Sequence, residues 1–116
     1  MDFGTYVRDQ RRDKQQMDRR FSLRQVAERV GIQPTYLSKI ERGELPPPAE
    51  QTTLRIAEEL GLDGDVLLAM AGKVSRDLRE IICERPQLFS KLLREMRAMP
   101  DHAVLTLIRE TTDGNW

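Results

Sequence analysis

Residues 21 to 43, FSLRQVAERVGIQPTYLSKIERG, constrain the fold more than any other part of the chain, because they specify two short helices joined by a tight turn. Ser22 is a good N-cap and Gln25, three residues on, can reach back to the cap's own N–H, which makes a capping box. Phe21 and Val26 stand where a hydrophobic staple would form. Leu23, Val26, Ala27 and Val30 then fall at i, i+3, i+4 and i+7, one stripe to be buried, with Arg24, Glu28 and Arg29 left toward solvent. Gly31 ends that helix where the chain must turn into the left-handed region, which glycine enters without a Cβ penalty. Pro34 opens the next, since its fixed φ suits a first helical position and its missing N–H has no helical partner to lose.

In the second helix Leu37 and Ile40 are three residues apart and can pack back on Val26, Ala27 and Val30. Ala27 allows this, because two helices crossing over so short a turn need a small side chain at their contact. The opposite face carries Pro34, Thr35, Ser38, Lys39 and Arg42, short or cationic groups that leave the backbone free to enter a groove and can reach base edges and phosphates.

The run AERVGIQPTYLSKIERGE resembles the helix-turn-helix of the lambda-repressor-like family, the Cro and xenobiotic-response-element type of bacterial and phage regulators. Its small, turn, apolar and acidic positions are all in register, and the resemblance extends over roughly residues 3 to 71 before fading. It implies a five-helix DNA-binding domain over residues 1–72. It also implies a DNA-facing set of Arg24, Gln33, Pro34, Thr35, Tyr36, Ser38, Lys39, Arg42 and Gly43, with double-stranded DNA as the partner. Gln33 stands where the family usually has a Ser or Asp-like cap, so its amide is expected to contact the backbone instead. The resemblance further implies an ion pair between an arginine late in the first helix, here Arg11, and the glutamate closing the recognition helix, here Glu41. The segment between Arg11 and Ser22 is longer than the family pattern. That leaves open an extended first helix or a longer turn at Asp18, Arg19 and Arg20, the two arginines being either phosphate contacts or solvated. After Gly43, Glu44-Leu45-Pro46-Pro47-Pro48 must be extended. The family's corresponding loop runs along the DNA backbone, which makes Arg42 and the N–H groups of Gly43 and Glu44 candidate phosphate contacts.

A length of 116 residues fits one domain with an extension. Few aromatics and apolar positions at helical spacing indicate an all-α class. Zero formal net charge excludes a polycation that coats nucleic acid indiscriminately. The distribution is uneven, however: Arg8 to Arg42 holds ten Lys and Arg against five Asp and Glu, so the basic end coincides with the motif. No apolar run approaches the ~20 residues of a membrane span, and the polar N-terminus is unlike a signal peptide, so a cytoplasmic protein is expected. One cysteine, Cys83, and one histidine, His102, exclude an intrachain disulfide and argue against a zinc site. Cys83 is expected as a small buried thiol beside Ile81 and Ile82, and His102 as a surface residue.

Around the motif, a first helix over residues 3 to about 17 should turn Phe3, Tyr6, Val7 and Gln10 inward. A fourth over residues 49–60 should bury Leu54, Ile56, Ala57 and Leu60, and a fifth, capped by Asp63, should bury Val66, Leu67 and Met70. Residues 73–116 form an extension of about three helices, started by Ser75, Pro86 and Pro100-Asp101. Their stripes, chiefly Leu88, Phe89, Leu92, Leu93 and Met96 with Val104, Leu105 and Ile108, must be covered by a second copy, by another protein or by the N-terminal domain. A ligand pocket among Phe89, Met96 and Met99 is the weaker use of those residues, and Trp116 either docks or hangs free.

The function so implied is sequence-specific DNA-binding transcriptional regulation, most simply a repressor that occupies a palindromic operator as a homodimer. The alternative is an antitoxin-like or other protein-interaction module that autoregulates through its N-terminal domain, which the fold alone does not separate. With no Gly-rich phosphate loop, nucleophile elbow or metal-ligand cluster, no enzymatic activity, catalytic residue, metal or cofactor is expected.

Overall fold

The computed structural model describes residues 2–114, and these are all-α. Trp116, whose role the sequence leaves open, lies outside the described residues. The chain divides into two compact units, one up to Arg76 and one from Asp77 onward.

The first unit holds α1 (Phe3–Gln15), α2 (Leu23–Val30), α3 (Pro34–Glu41), α4 (Glu50–Leu60) and α5 (Gly64–Met70). Each start has a local cause. Asp2 caps α1 by accepting from the Thr5 N–H at 2.8 Å, Ser22 Oγ caps α2 at Gln25, and Asp63 caps α5 through the N–H groups of Asp65 and Val66. Of the capping box, the forward bond from Gln25 N–H to Ser22 is made at 3.3 Å. Gly31, at φ 88°, closes α2, and Ile32 N–H returns to Ala27 O at 3.0 Å, so α3 starts after a turn of three residues.

The core joins Phe3 and Val7 of α1 to Val26, Ala27 and Val30 of α2, Leu37 and Ile40 of α3, Ile56, Ala57 and Leu60 of α4, and Leu67 of α5. Ala27 is fully enclosed where α2 and α3 cross, as the tight turn requires.

Three expected positions shift. The first helix ends at Gln15 and does not continue to Met17, the added residues folding as a 3-10 turn at Arg19–Phe21. In α4 the enclosed stripe is Thr53, Ile56, Ala57 and Leu60, a strict i, i+3, i+4, i+7 set, which leaves Leu54 38% exposed one helical step off it. Thr53 is tolerated there because its hydroxyl donates to Pro48 O at 3.1 Å. In α5 the buried pair is Leu67 and Leu68 and Met70 packs partly against the core, while Val66, one helical step from Leu67, is 51% exposed.

The second unit contains α7 (Pro86–Arg97) and α8 (Asp101–Asp113), preceded by α6 (Arg76–Glu84), which begins at the division. Proline stands at the first turn of α7 and immediately before α8, as the sequence indicates. Strongly amphipathic as they are, these helices bury no residue among those described. Cys83 is correspondingly exposed and not the buried thiol its apolar neighbours suggest, and Ile81 is itself 46% exposed, with only Ile82 of the three partly buried.

Candidate nucleic-acid interface

Recognition by a helix requires that the helix be held rigidly, and the hold on α3 begins with Arg11. Its Nε and Nη2 donate to Glu41 Oε2 and Oε1 at 2.8 and 2.9 Å, a bidentate pair of which Arg11 is 5% exposed and Glu41 4%. The longer connection after α1 does not displace Arg11. It supplies a further acceptor, since Arg11 Nη1 donates to Gln15 Oε1 at 3.1 Å and to Phe21 O at 3.2 Å. The 3-10 turn is therefore folded onto the same guanidinium that locks α1 to α3.

That turn also separates its two arginines. Arg20 is occupied by Asp18, donating from Nη2 at 2.7 Å and from Nε at 3.1 and 3.0 Å. The Arg20 guanidinium, helped by its backbone N–H, holds the Asp18 carboxyl down at about 2. Arg19 is exposed with no such clamp. Phe21 lies between two cations, Lys14 Nζ at 5.6 Å and the Arg29 guanidinium at 5.4 Å from its ring centre, and Arg29 in turn pairs with Glu59 of α4 at 2.7 Å.

So held, α3 buries Leu37, Ile40 and Glu41 and turns its other side outward. Thr35 and Lys39 are exposed there and Pro34 and Ser38 half-exposed, with Arg42 exposed just past the helix end. Gln33 is exposed at the N-cap and makes no side-chain cap bond, so the first-turn N–H groups of α3 are not capped by it. Arg24 is exposed on the first turn of α2. Tyr36 is the exception in the expected set, because its ring packs against the core and is only half-exposed.

Gly43 has a different part from the one its motif position suggests. Its N–H donates to Ile40 O at 3.0 Å and that of Glu44 to Lys39 O at 2.8 Å, so both groups close the end of α3 and are not open phosphate donors. What Gly43 contributes is a left-handed turn, φ 75°, with open space where a Cβ would stand. Arg42 remains at the surface, its Nη2 3.2 Å from Glu44 Oε2.

Three positions of structural weight carried no sequence signal. Gly4 lets α1 rest on the end of α3, since a Cβ there would run into the carbonyl oxygen of Ile40. Thr53 and Lys73 both donate to Pro48 O, at 3.1 and 2.9 Å, and so fix the proline loop that follows α3.

A family model described as a helix-turn-helix domain matches residues 2–70. Among curated proteins, two from Mycobacterium tuberculosis, of strains CDC 1551 / Oshkosh and ATCC 25618 / H37Rv, are similar; each is named an uncharacterized HTH-type transcriptional regulator. Each is 38% identical over 69 residues, which is 60% of this chain and 45% of the relative. The chain thus spans less than half the length of these relatives. No solved structure matches it. No helix among the described residues is long and apolar enough to cross a membrane. Such a match points away from catalysis and toward a binding role: over more than half its length, and with the motif at the centre of its core, the chain belongs to the helix-turn-helix domain family.

Proposed function

We propose that this protein is a DNA-binding transcription regulator, a repressor that occupies a palindromic operator as a two-fold dimer. Residues 1–72 serve as the DNA-binding domain and residues 73–116 as the extension that brings two copies together. The observation that carries this reading is the outward face of α3: a helix locked from behind by a buried Arg11–Glu41 pair shows Thr35, Ser38 and Lys39 outward, with Arg42 beyond its end. Rigid seating with short polar and cationic groups outward suits insertion into a major groove, where a good base contact contributes ~1–3 kcal/mol of discrimination. Arg24, Gln33 and Arg42 surround that face and act on phosphate, fixing register without reading sequence. The names of the two mycobacterial relatives support the same function.

Selection of bound sequences from a random DNA pool tests this directly, and a two-fold symmetric consensus is the expected result. Lys39→Ala should then lose more affinity for the selected site than for random DNA, by ~1–3 kcal/mol. A pool that yields no consensus overturns sequence-specific recognition, and equal weakening on both DNAs reduces Lys39 to a phosphate contact.

A further inference from the structure

The outward side of α3 is narrow in its chemistry, and that narrowness bears on which bases it can read. At 3.6 residues per turn the buried Leu37, Ile40 and Glu41 share one direction, and the direction opposite them falls on Thr35, Lys39 and Arg42. Exposure agrees: those three are exposed, while Tyr36 on one flank and Pro34 and Ser38 on the other are half-exposed. Arg42 lies past the helix end with its Nη2 3.2 Å from Glu44 Oε2, whereas Lys39 is in no ion pair among the described residues. The centre of the face on the helix itself is therefore Thr35 and Lys39, one turn apart. The absences on this face matter as much. The run PTYLSKIE holds no Asn or Gln, the side chains that pair with both N6 and N7 of adenine. Its one carboxylate, which could accept from cytosine N4, is Glu41, and that is buried against Arg11. Gln33, the nearest amide, stands at the N-cap, before the face begins.

We propose that α3 reads guanine through Lys39 and a thymine methyl group through Thr35, and that Ser38 and Tyr36 hold the walls of the groove and read no base. An ammonium only donates, so it suits O6 and N7 of guanine, two acceptors side by side, and finds an amino group in place of one of them on adenine. The Thr35 hydroxyl both donates and accepts and so favours no base edge. Its methyl group does discriminate, by covering the C5 methyl of thymine. Four residues of helix separate the two readers by about 6 Å along the axis, on the order of two base-pair steps when α3 lies along the groove. Ser38 and Tyr36 stand to opposite sides of that line, where hydroxyl groups meet phosphate. This deepens the DNA-binding reading, on which it rests, by naming the bases that the face selects.

The test uses the full chain and the consensus duplex selected from a random pool. That consensus should hold a guanine, with a thymine on the order of two steps from it. Exchanging the guanine pair for an adenine pair should weaken binding of the unaltered protein about tenfold or more, and Lys39→Ala should bind the two duplexes alike. Lys39→Arg, which offers two donors to the same acceptors, should keep the guanine preference, an outcome that general damage at this position cannot produce. Replacing the thymine by uracil, which lacks only the methyl group, should weaken the unaltered protein about threefold and leave Thr35→Ser indifferent. Ser38→Ala and Tyr36→Phe should weaken binding to every duplex by the same factor. The assignment is overturned, with sequence-specific binding left standing, by a consensus without guanine, by a guanine preference that survives in Lys39→Ala or disappears in Lys39→Arg, by a uracil effect that survives in Thr35→Ser, or by a base preference that changes in Ser38→Ala or Tyr36→Phe. A pool with no consensus overturns sequence-specific binding itself and the assignment with it.

Discussion

Removing the Glu41 carboxylate tests the central mechanical element of the domain. In Glu41→Ala, Arg11 keeps its bonds to Gln15 and Phe21 but loses both oxygens that receive Nε and Nη2, and a guanidinium that is 5% exposed has no water to replace them. Breaking such a buried pair on one side costs about 3–5 kcal/mol, because the remaining charge is uncompensated. Against a total stability of ~5–15 kcal/mol for a small domain, that is roughly a fifth or more. At about 4–8 °C per kcal/mol for a domain of this size, the melting temperature should fall by at least 10 °C. The pair contributes far less than its removal costs, since exchanging both partners for apolar residues of similar volume is often neutral or stabilising. Arg11→Met combined with Glu41→Leu should therefore recover most of the lost stability. Chemical denaturation of the unaltered protein and the two variants gives the comparison. A loss below about 1 kcal/mol in Glu41→Ala, the range of a surface pair, would refute the buried-pair argument.

Gly4→Ala should destabilise the protein by ~1–3 kcal/mol although alanine is the better helix former, because its Cβ overlaps the Ile40 carbonyl oxygen; an unchanged or raised melting temperature would mean α1 slides without cost. Asp18 gives a pH prediction. Its carboxyl is held down at about 2, so its hold on the turn is fully present above the ordinary ~3.9 of an unfolded aspartate and is lost as pH falls through about 2. An NMR titration of the Asp18 carboxyl should show that low midpoint, and Arg20→Ala should return it toward ~3.9; a midpoint unmoved by the substitution would assign the effect to the backbone N–H of Arg20 alone.

Local signals in the sequence were legible wherever one residue's own chemistry decides. Ser22, Gly31 and Pro34 mark the boundaries of α2 and α3 because a cap, a left-handed turn and a fixed φ are properties of single positions. The Arg11–Glu41 pair could be placed by register with a known motif even though the turn before Ser22 is longer, since the added residues fold onto the guanidinium without displacing it and bring Phe21 O to its acceptors. Packing was less legible. Leu54 and Val66 are as apolar as their buried neighbours, and which of them faces inward follows from the direction of approach of another helix, which no short window encodes. Gly4 is silent for the same reason, its neighbour Ile40 being far along the chain. The N–H groups of Gly43 and Glu44 were misplaced because a motif locates a residue without saying whether its donor is already bound, here to Ile40 and Lys39.

The same limit explains the two halves of the chain. The stripe Leu23, Val26, Ala27 and Val30 and the stripe Leu88, Phe89, Leu92 and Leu93 have equivalent helical periodicity, yet Val26 and Ala27 are fully enclosed while Leu88 is 67% exposed. Periodicity states that a face is apolar and leaves open what covers it. In the first half the cover is intramolecular, because a three-residue turn and a small Ala27 bring α3 onto α2 within one chain. In the second half the helices bury no residue among those described, so their stripes state only that an apolar face exists and not which surface completes it. If two copies meet there, the recognition helices come in pairs. Under the proposed function, the short outward face of a single α3 would then gain specificity from a second half-site read by the other copy, ~34–36 Å away along the duplex or a multiple of that distance.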